Sequence, residues 1–291
     1  MCLKSDFRVP ILLAAIMVCF ASNSVITRYL VLVGQVSPFL LTVIRFASGL
    51  VVLLTISGIR PTTFPHPRPG ASNLLGALFL GAYAFSISYG YLFISVAAGT
   101  FVFYTFVVVT MVGYSIISDK EKLTLRSGLG QLLGLLGVLV ITFGKISSVT
   151  IVGVLLMAVT GTSWGLYSAY GKKFGIAFGY TYNSFLILGS VSIVISLVFA
   201  FSSQLPVTNI PLQNLGLALY MGMVSTALSY VLWNQTMKKI SASVGGLVQL
   251  VVPVLAPIMG IIFLGEQLTT SLIFGGGLIL VGIYLVGQSR P

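Results

Sequence analysis

Apolar runs of about twenty residues recur along the whole chain, separated by short clusters of charged residues, prolines and small polar residues. Cutting at those clusters leaves ten runs, over 9–31, 37–57, 71–93, 96–117, 127–144, 149–171, 180–201, 212–234, 241–263 and 269–287. Roughly 20 apolar residues in a helix cross the hydrocarbon of a bilayer. The pattern therefore predicts an all-α membrane protein with ten transmembrane helices. The weakest punctuation lies at Ser95 and Lys145. Lys4 and Arg8 precede the first run as they would in a secretory signal, but the run is long for one and many spans follow, so it reads as the first helix.

Composition removes the soluble alternatives. The chain has 291 residues, 57% hydrophobic and only 7% charged, against roughly 25% charged in soluble domains. Mean hydropathy is +1.09, and the 32 glycines suit helices that approach one another closely in lipid. A water-soluble enzyme is excluded. The formal net charge of +11 would suggest a nucleic-acid partner in a soluble protein, but the basic residues fall in gaps between spans, so no nucleic acid is expected. Cys2 and Cys19 form neither a disulfide framework nor a CxxC metal site, and Val18 before Cys19 disfavours a lipoprotein cleavage site.

Charge also orients the spans. With the N-terminus inside, the inner segments carry Lys4, Arg8, Arg60, Arg68, Lys120, Lys122, Arg126, Lys172, Lys173, Lys238, Lys239 and Arg290. The outer loops carry Lys145 alone, and Arg28 and Arg45 fall within spans. An inside excess of that size predicts a multi-pass protein of a bacterial-type inner membrane with both termini cytoplasmic.

The chain also matches itself. At an offset of 145 the run Glu121-Lys-Leu-Thr124 aligns with Glu266-Gln-Leu-Thr269, Gly130 with Gly275 and Gly137 with Gly282. At 144, Phe20 meets Trp164 and Arg28 meets Lys172. The unit is five helices, an odd number, so the second copy enters from the opposite side. Residues 1–146 and 147–291 are thus read as two inverted repeats of one transmembrane domain, an arrangement that puts a solute site near the midplane between them.

The stretch from Ala227 to Thr269, with Pro253 and the run Gly265, Glu266, Leu268, Thr269, resembles the second repeat of the EamA-type drug/metabolite transporter superfamily. Within it the aromatic-rich helices look most like the YddG-type amino acid exporters. Helices one to four match less closely: Val108 and Val112 stand where the second half has Pro253 and Pro257. The resemblance implies a ten-helix metabolite transporter, often an exporter.

The candidate chemistry is sparse. The four acids, Asp6, Asp119, Glu121 and Glu266, all lie outside the spans, and His66 sits in the loop Pro-His-Pro-Arg-Pro. An embedded carboxylate relay for protons is therefore not expected, and no phosphate-binding GxxxxGK[ST] loop occurs. Nothing points to an enzyme, a cofactor or a metal.

Arg45, eight residues from Ser37, lies about 12 Å deep. It must meet helix carbonyls, cavity water or a substrate carboxylate. Arg28 and Lys172 read as end-of-helix snorkelling residues. Asn23, Tyr83, Thr100, Tyr104, Ser163, Trp164, Tyr167 and Gln249 stand near mid-span and suit an amphipathic zwitterion. Each aromatic among them could instead face lipid. Pro253 and Pro257 would loosen the ninth helix, as a gate or as a static kink.

The residues and the resemblance together imply a secondary transporter that exports amino acids or related small neutral metabolites by alternating access. The alternative is a multidrug or nucleotide-sugar type carrier. Its partners are the lipid bilayer and a small-molecule substrate, an amino acid, and no oligomeric partner is required.

Overall fold

The computed structural model describes residues 8–59, 70–94, 96–143, 150–173, 176–201, 210–264 and 269–288. In chain order the helices are α1 (Arg8–Leu32), α2 (Pro38–Ile59), α3 (Ala71–Gly90), α4 (Val96–Ser118), α5 (Leu125–Thr142), α6 (Ile151–Gly171), α7 (Ala177–Phe201), α8 (Leu212–Tyr220), α9 (Ser229–Met237), α10 (Ala242–Val248), α11 (Val252–Leu264) and α12 (Thr270–Gly287). No strand occurs among the described residues. Nine stretches there are helical, long and apolar enough to cross a membrane. The expected ninth span, 241–263, is the broken one. It runs as α10, a 3₁₀ turn over Gln249–Val251, and α11.

That break follows from Pro253. A proline has no N–H to give the carbonyl four residues back, and its ring crowds that carbonyl. The orphaned acceptor is Gln249, and its carbonyl instead takes the N–H of Val252, three residues on, which tightens the turn. Pro253 is buried at the start of α11, while the side chain of Pro257 lies outside the described residues. The eighth span is irregular too. Between α8 and α9 the segment Met221–Leu228 is π-helical, with hydrogen bonds that reach one residue further than in an α-helix.

Helix starts are signed by hydroxyls. Thr124, Thr150, Ser241 and Thr269 each cap a helix by accepting the backbone N–H three residues on, at 3.1, 3.1, 3.3 and 3.3 Å. Thr124 and Thr269 are the threonines that the 145-residue offset aligns, and both begin glycine-rich helices. α4 ends with Lys120 in the left-handed region (φ 56°), where the N–H of Glu121 reaches back to the Ser115 carbonyl at 3.0 Å.

α5 and α12 meet backbone to backbone. A Cβ on Gly137 would lie 2.5 Å from the Gly275 carbonyl oxygen, and one on Gly275 would lie 2.5 Å from that of Gly137. Gly130 and Gly282 oppose one another likewise, at 2.7 and 2.4 Å. Lipid offers no hydrophobic drive for helix pairing, so dispersion forces must supply it, and they require a fit this close. Outward faces carry apolar residues such as Leu78, Leu155, Val198 and Phe274, while the interior concentrates aromatic and polar groups.

Two sets of polar contacts lie at opposite ends of the bundle. At one end the Lys172 ammonium meets the Asp119 carboxylate at 3.0 Å, Lys173 donates to Ser118 at 2.7 Å and lies over the Tyr114 ring. Glu121 there accepts from Ser115 and Ser243. At the other end the Thr150 hydroxyl donates to the Phe93 carbonyl at 2.7 Å. The ends of α4 and α6 and the start of α10 therefore share one face, and the end of α3 and the start of α6 share the other.

Candidate functional site

α1, α3, α4, α6, α9 and the broken ninth span converge on a small central cavity. Phe20, Asn23 and Ser24 line it from α1, Tyr83 from α3, and Phe103 and Tyr104 from α4. Trp164 of α6, Tyr230 of α9 and Gln249 of the 3₁₀ turn complete the wall.

Trp164 is its hub. Its indole N–H donates to the Gln249 side-chain oxygen. Its ring meets Phe20 edge-on at 5.4 Å, Tyr83 at 5.1 Å, Tyr230 at 4.7 Å and Tyr167 in a stacked arrangement at 5.7 Å. Small residues on either side allow this placement. A Cβ on Gly161 would lie 2.3 Å from the Phe103 carbonyl oxygen, and one on Gly165 would press on Thr110, so α6 sits hard against α4 and the indole projects into the centre. Gln249 is held in turn by its amide, which donates to the Gly245 carbonyl at 3.2 Å.

The polar wall is Asn23. Its amide donates to the Thr226 hydroxyl at 3.0 Å and the Ser225 carbonyl at 3.3 Å, both on the π-helical segment. Its oxygen faces Thr27 and Arg45. Asn23 thus joins the aromatic cavity to the arginine.

Five of the residues picked from the sequence line the cavity: Asn23, Tyr83, Tyr104, Trp164 and Gln249. The other four lie around it. Tyr167 is fully buried one turn along α6, stacked between Trp164 and Tyr180 and accepting from Asn234 at 3.3 Å. Ser163 is buried beside Trp164. Thr100 is half-buried one turn before Tyr104. Arg45 is fully buried on α2, behind Asn23.

Sequence reasoning pointed to Ser24 beside Asn23 but missed Phe20, Phe103 and Tyr230 as lining residues. A signal for Tyr230 exists: Tyr230, Trp233 and Asn234 repeat at the i, i+3, i+4 spacing of one helix face. All three are buried, with the Trp233 indole donating to Ser168 at 2.9 Å and the Asn234 amide to Thr181 at 3.0 Å.

Groups of three or more His, Cys, Asp or Glu able to hold a metal are missing among the described residues. The wall instead offers aromatic faces, two side-chain amides and phenol hydroxyls. Such groups bind and orient an amphipathic solute, and they include no nucleophile with an adjacent base.

Relatives match this chain along most of its length. An uncharacterized protein of Pseudomonas aeruginosa is 30% identical over 98% of this chain and 96% of its own length. The uncharacterized transporter YoaV of Bacillus subtilis is 28% identical over 87% of this chain and 88% of its own. An uncharacterized transporter of Archaeoglobus fulgidus is 27% identical over 87% and 90%. A solved crystal structure at 19% identity superposes with a TM-score of 0.81 over 97% of this chain and 98% of its own, which establishes the shared fold. The model of the EamA-like transporter family matches twice, over residues 8–143 and 151–288. The chain therefore belongs to the EamA-like transporter family, and it is a multi-pass membrane transporter rather than an enzyme.

Proposed function

We propose that this protein is a secondary transporter that exports amino acids or related small neutral metabolites across the cytoplasmic membrane. Residues 1–146 and 147–291 act as inverted five-helix repeats that rock about a central site, with both termini in the cytoplasm. The observation that carries the reading is the shared wall of the cavity. Phe20, Asn23, Ser24, Tyr83, Phe103 and Tyr104 come from the first half, and Trp164, Tyr230 and Gln249 from the second. A solute held there touches both halves, so motion of one against the other can expose it to either side in turn.

The wall suits an amphipathic zwitterion. Aromatic faces take an apolar side chain, while Asn23 and Gln249 each offer a donor and an acceptor.

The contacts of Asp119, Glu121, Lys172, Lys173 and Ser243 join the two halves at the face read as cytoplasmic. The Lys172–Asp119 pair is partly exposed, with side chains 19% and 28% accessible. Such pairs contribute only about 0.2–1 kcal/mol. A clasp of that strength closes one face without locking it.

Counterflow into proteoliposomes loaded with a panel of amino acids tests the proposal. Large neutral and aromatic amino acids should exchange fastest, with small polar ones slower. Exchange of organic cations or nucleotide sugars with no amino acid transported would reject it.

A further inference from the structure

We propose that Arg45 is the anchor for a carboxylate on the transported solute, reached through Asn23, so that the protein selects substrates bearing a free carboxylate beside an apolar body. This rests on the transporter reading above and narrows its substrate class.

Arg45 is fully buried in α2. Its Nη2 donates to the Thr27 hydroxyl at 3.0 Å and faces the Asn23 side-chain oxygen and the Met221 sulfur, each at 3.5 Å. A thioether is a weak acceptor, so the guanidinium has one good hydrogen bond. Nε and Nη1 find no acceptor among the described residues, leaving three of its five N–H groups without one. The described carboxylates Asp119 and Glu121 are occupied elsewhere, on Lys172 and on the serines.

An unneutralised buried cation is among the most costly arrangements a protein can hold. A planar carboxylate is the ligand that relieves it best. It brings the opposite charge and bridges two guanidinium nitrogens with parallel hydrogen bonds.

The way in is marked. Asn23 is the residue common to the arginine and the cavity, and its hold on Arg45 is weak at 3.5 Å. Its firmer bond, at 3.0 Å, goes to Thr226. A carboxylate can therefore take the place of the asparagine oxygen on the guanidinium while the amide stays on the π-helical segment. That segment is set close to the arginine: a Cβ on Gly222 would lie 2.7 Å from the Arg45 carbonyl oxygen and 2.0 Å from the Ser48 hydroxyl. With the carboxylate at Arg45, the apolar part of the solute points back to Phe20, Trp164 and Tyr230. A cation in place of the carboxylate would be repelled.

Three probes of one shape test this: 3-phenylpropionate, 3-phenylpropanol and 3-phenylpropylamine, titrated against the intrinsic tryptophan fluorescence of the purified full chain in nanodiscs. Trp164 lines the cavity and reports occupancy. The carboxylate should bind at least ten-fold tighter than the alcohol, with the amine weakest. In Arg45→Gln the carboxylate should fall to the level of the alcohol, whose own affinity stays unchanged, and Arg45→Lys should retain part of the preference. Equal binding of all three probes by the natural protein overturns the carboxylate anchor and leaves the aromatic cavity standing, and that outcome does not depend on whether the variants fold. Undiminished carboxylate binding by a folded Arg45→Gln variant overturns it equally. Failure of all three probes to bind rejects the amphipathic-solute reading itself, and the anchor with it.

Discussion

Trp164 is held from several sides at once, by Gln249 through its N–H and by Phe20, Tyr83, Tyr167 and Tyr230 through its ring. Only 3% of it is exposed, so replacement by alanine removes core volume as well as the proposed binding face, at a cost of about 3–5 kcal/mol in stability. Phenylalanine separates the two roles, because it keeps an aromatic face and loses only the N–H. The Gln249 oxygen is then left without that donor, a loss of about 1–3 kcal/mol when buried. Trp164→Phe and Gln249→Leu should each weaken the apparent affinity for solute in counterflow by roughly ten-fold, and the double variant should be little worse than either. Strictly additive losses would mean that the pair does not act as a unit. The sequence made Trp164 legible as a lone indole among small residues at mid-depth. It did not make Phe20 or Phe103 legible, because a phenylalanine within an apolar run reads the same whether it faces a cavity, a neighbouring helix or lipid.

The helices themselves are readable from the runs alone, since a bilayer demands length and apolarity and little else. The expected 37–57 corresponds to α2, Pro38–Ile59, and the expected 149–171 to α6, Ile151–Gly171. What hydropathy cannot register is a change of winding inside a span. The π-helical Met221–Leu228 contains no proline and stays apolar, so nothing in its residue types sets it apart. The 3₁₀ turn at Gln249–Val251 is foreshadowed by Pro253, because a missing N–H leaves an acceptor to be satisfied. The glycines aligned by the internal offset are legible as packing sites, but their partners are not. Gly137 faces Gly275 with no room for a methyl group on either, whereas Gly277 on the same α12 has nothing within 4 Å. Gly137→Val should therefore lower the Tm of the solubilised protein markedly, consistent with an overpacking cost of at least about 1–3 kcal/mol. Gly277→Val should leave it nearly unchanged. Equal effects would mean that α5 and α12 do not meet as described.

Across the whole molecule, polar contacts gather at two opposite faces of the bundle. α4 and α6 end at one face, where Asp119 meets Lys172, while α3 ends and α6 begins at the other, where Phe93 meets Thr150. On the proposed topology, the basic bias of the loops puts the first of these faces in the cytoplasm. Single cysteines at positions 66 and 238 should then resist an impermeant thiol reagent in intact cells, and those at 145 and 266 should react. Positions 66, 145 and 266 lie outside the described residues, and labelling assigns each of them to a side directly. Labelling at 66 with none at 145 would invert the assignment.

The same distribution of charge bears on how transport is driven. Coupling to protons requires a group that changes protonation while alternately exposed to the two sides. All four acids of the chain lie outside the predicted spans, and the two described ones, Asp119 and Glu121, are tied up at one face of the bundle. The proposed central site, lined as it is, therefore has no carboxylate with which to exchange a proton. In proteoliposomes an outwardly directed solute gradient alone should drive flux, and imposing a modest pH difference in either direction should leave its rate unchanged. Accumulation of solute against its gradient under a pH difference, with no flux in its absence, would show that a proton-carrying group lies on the path after all.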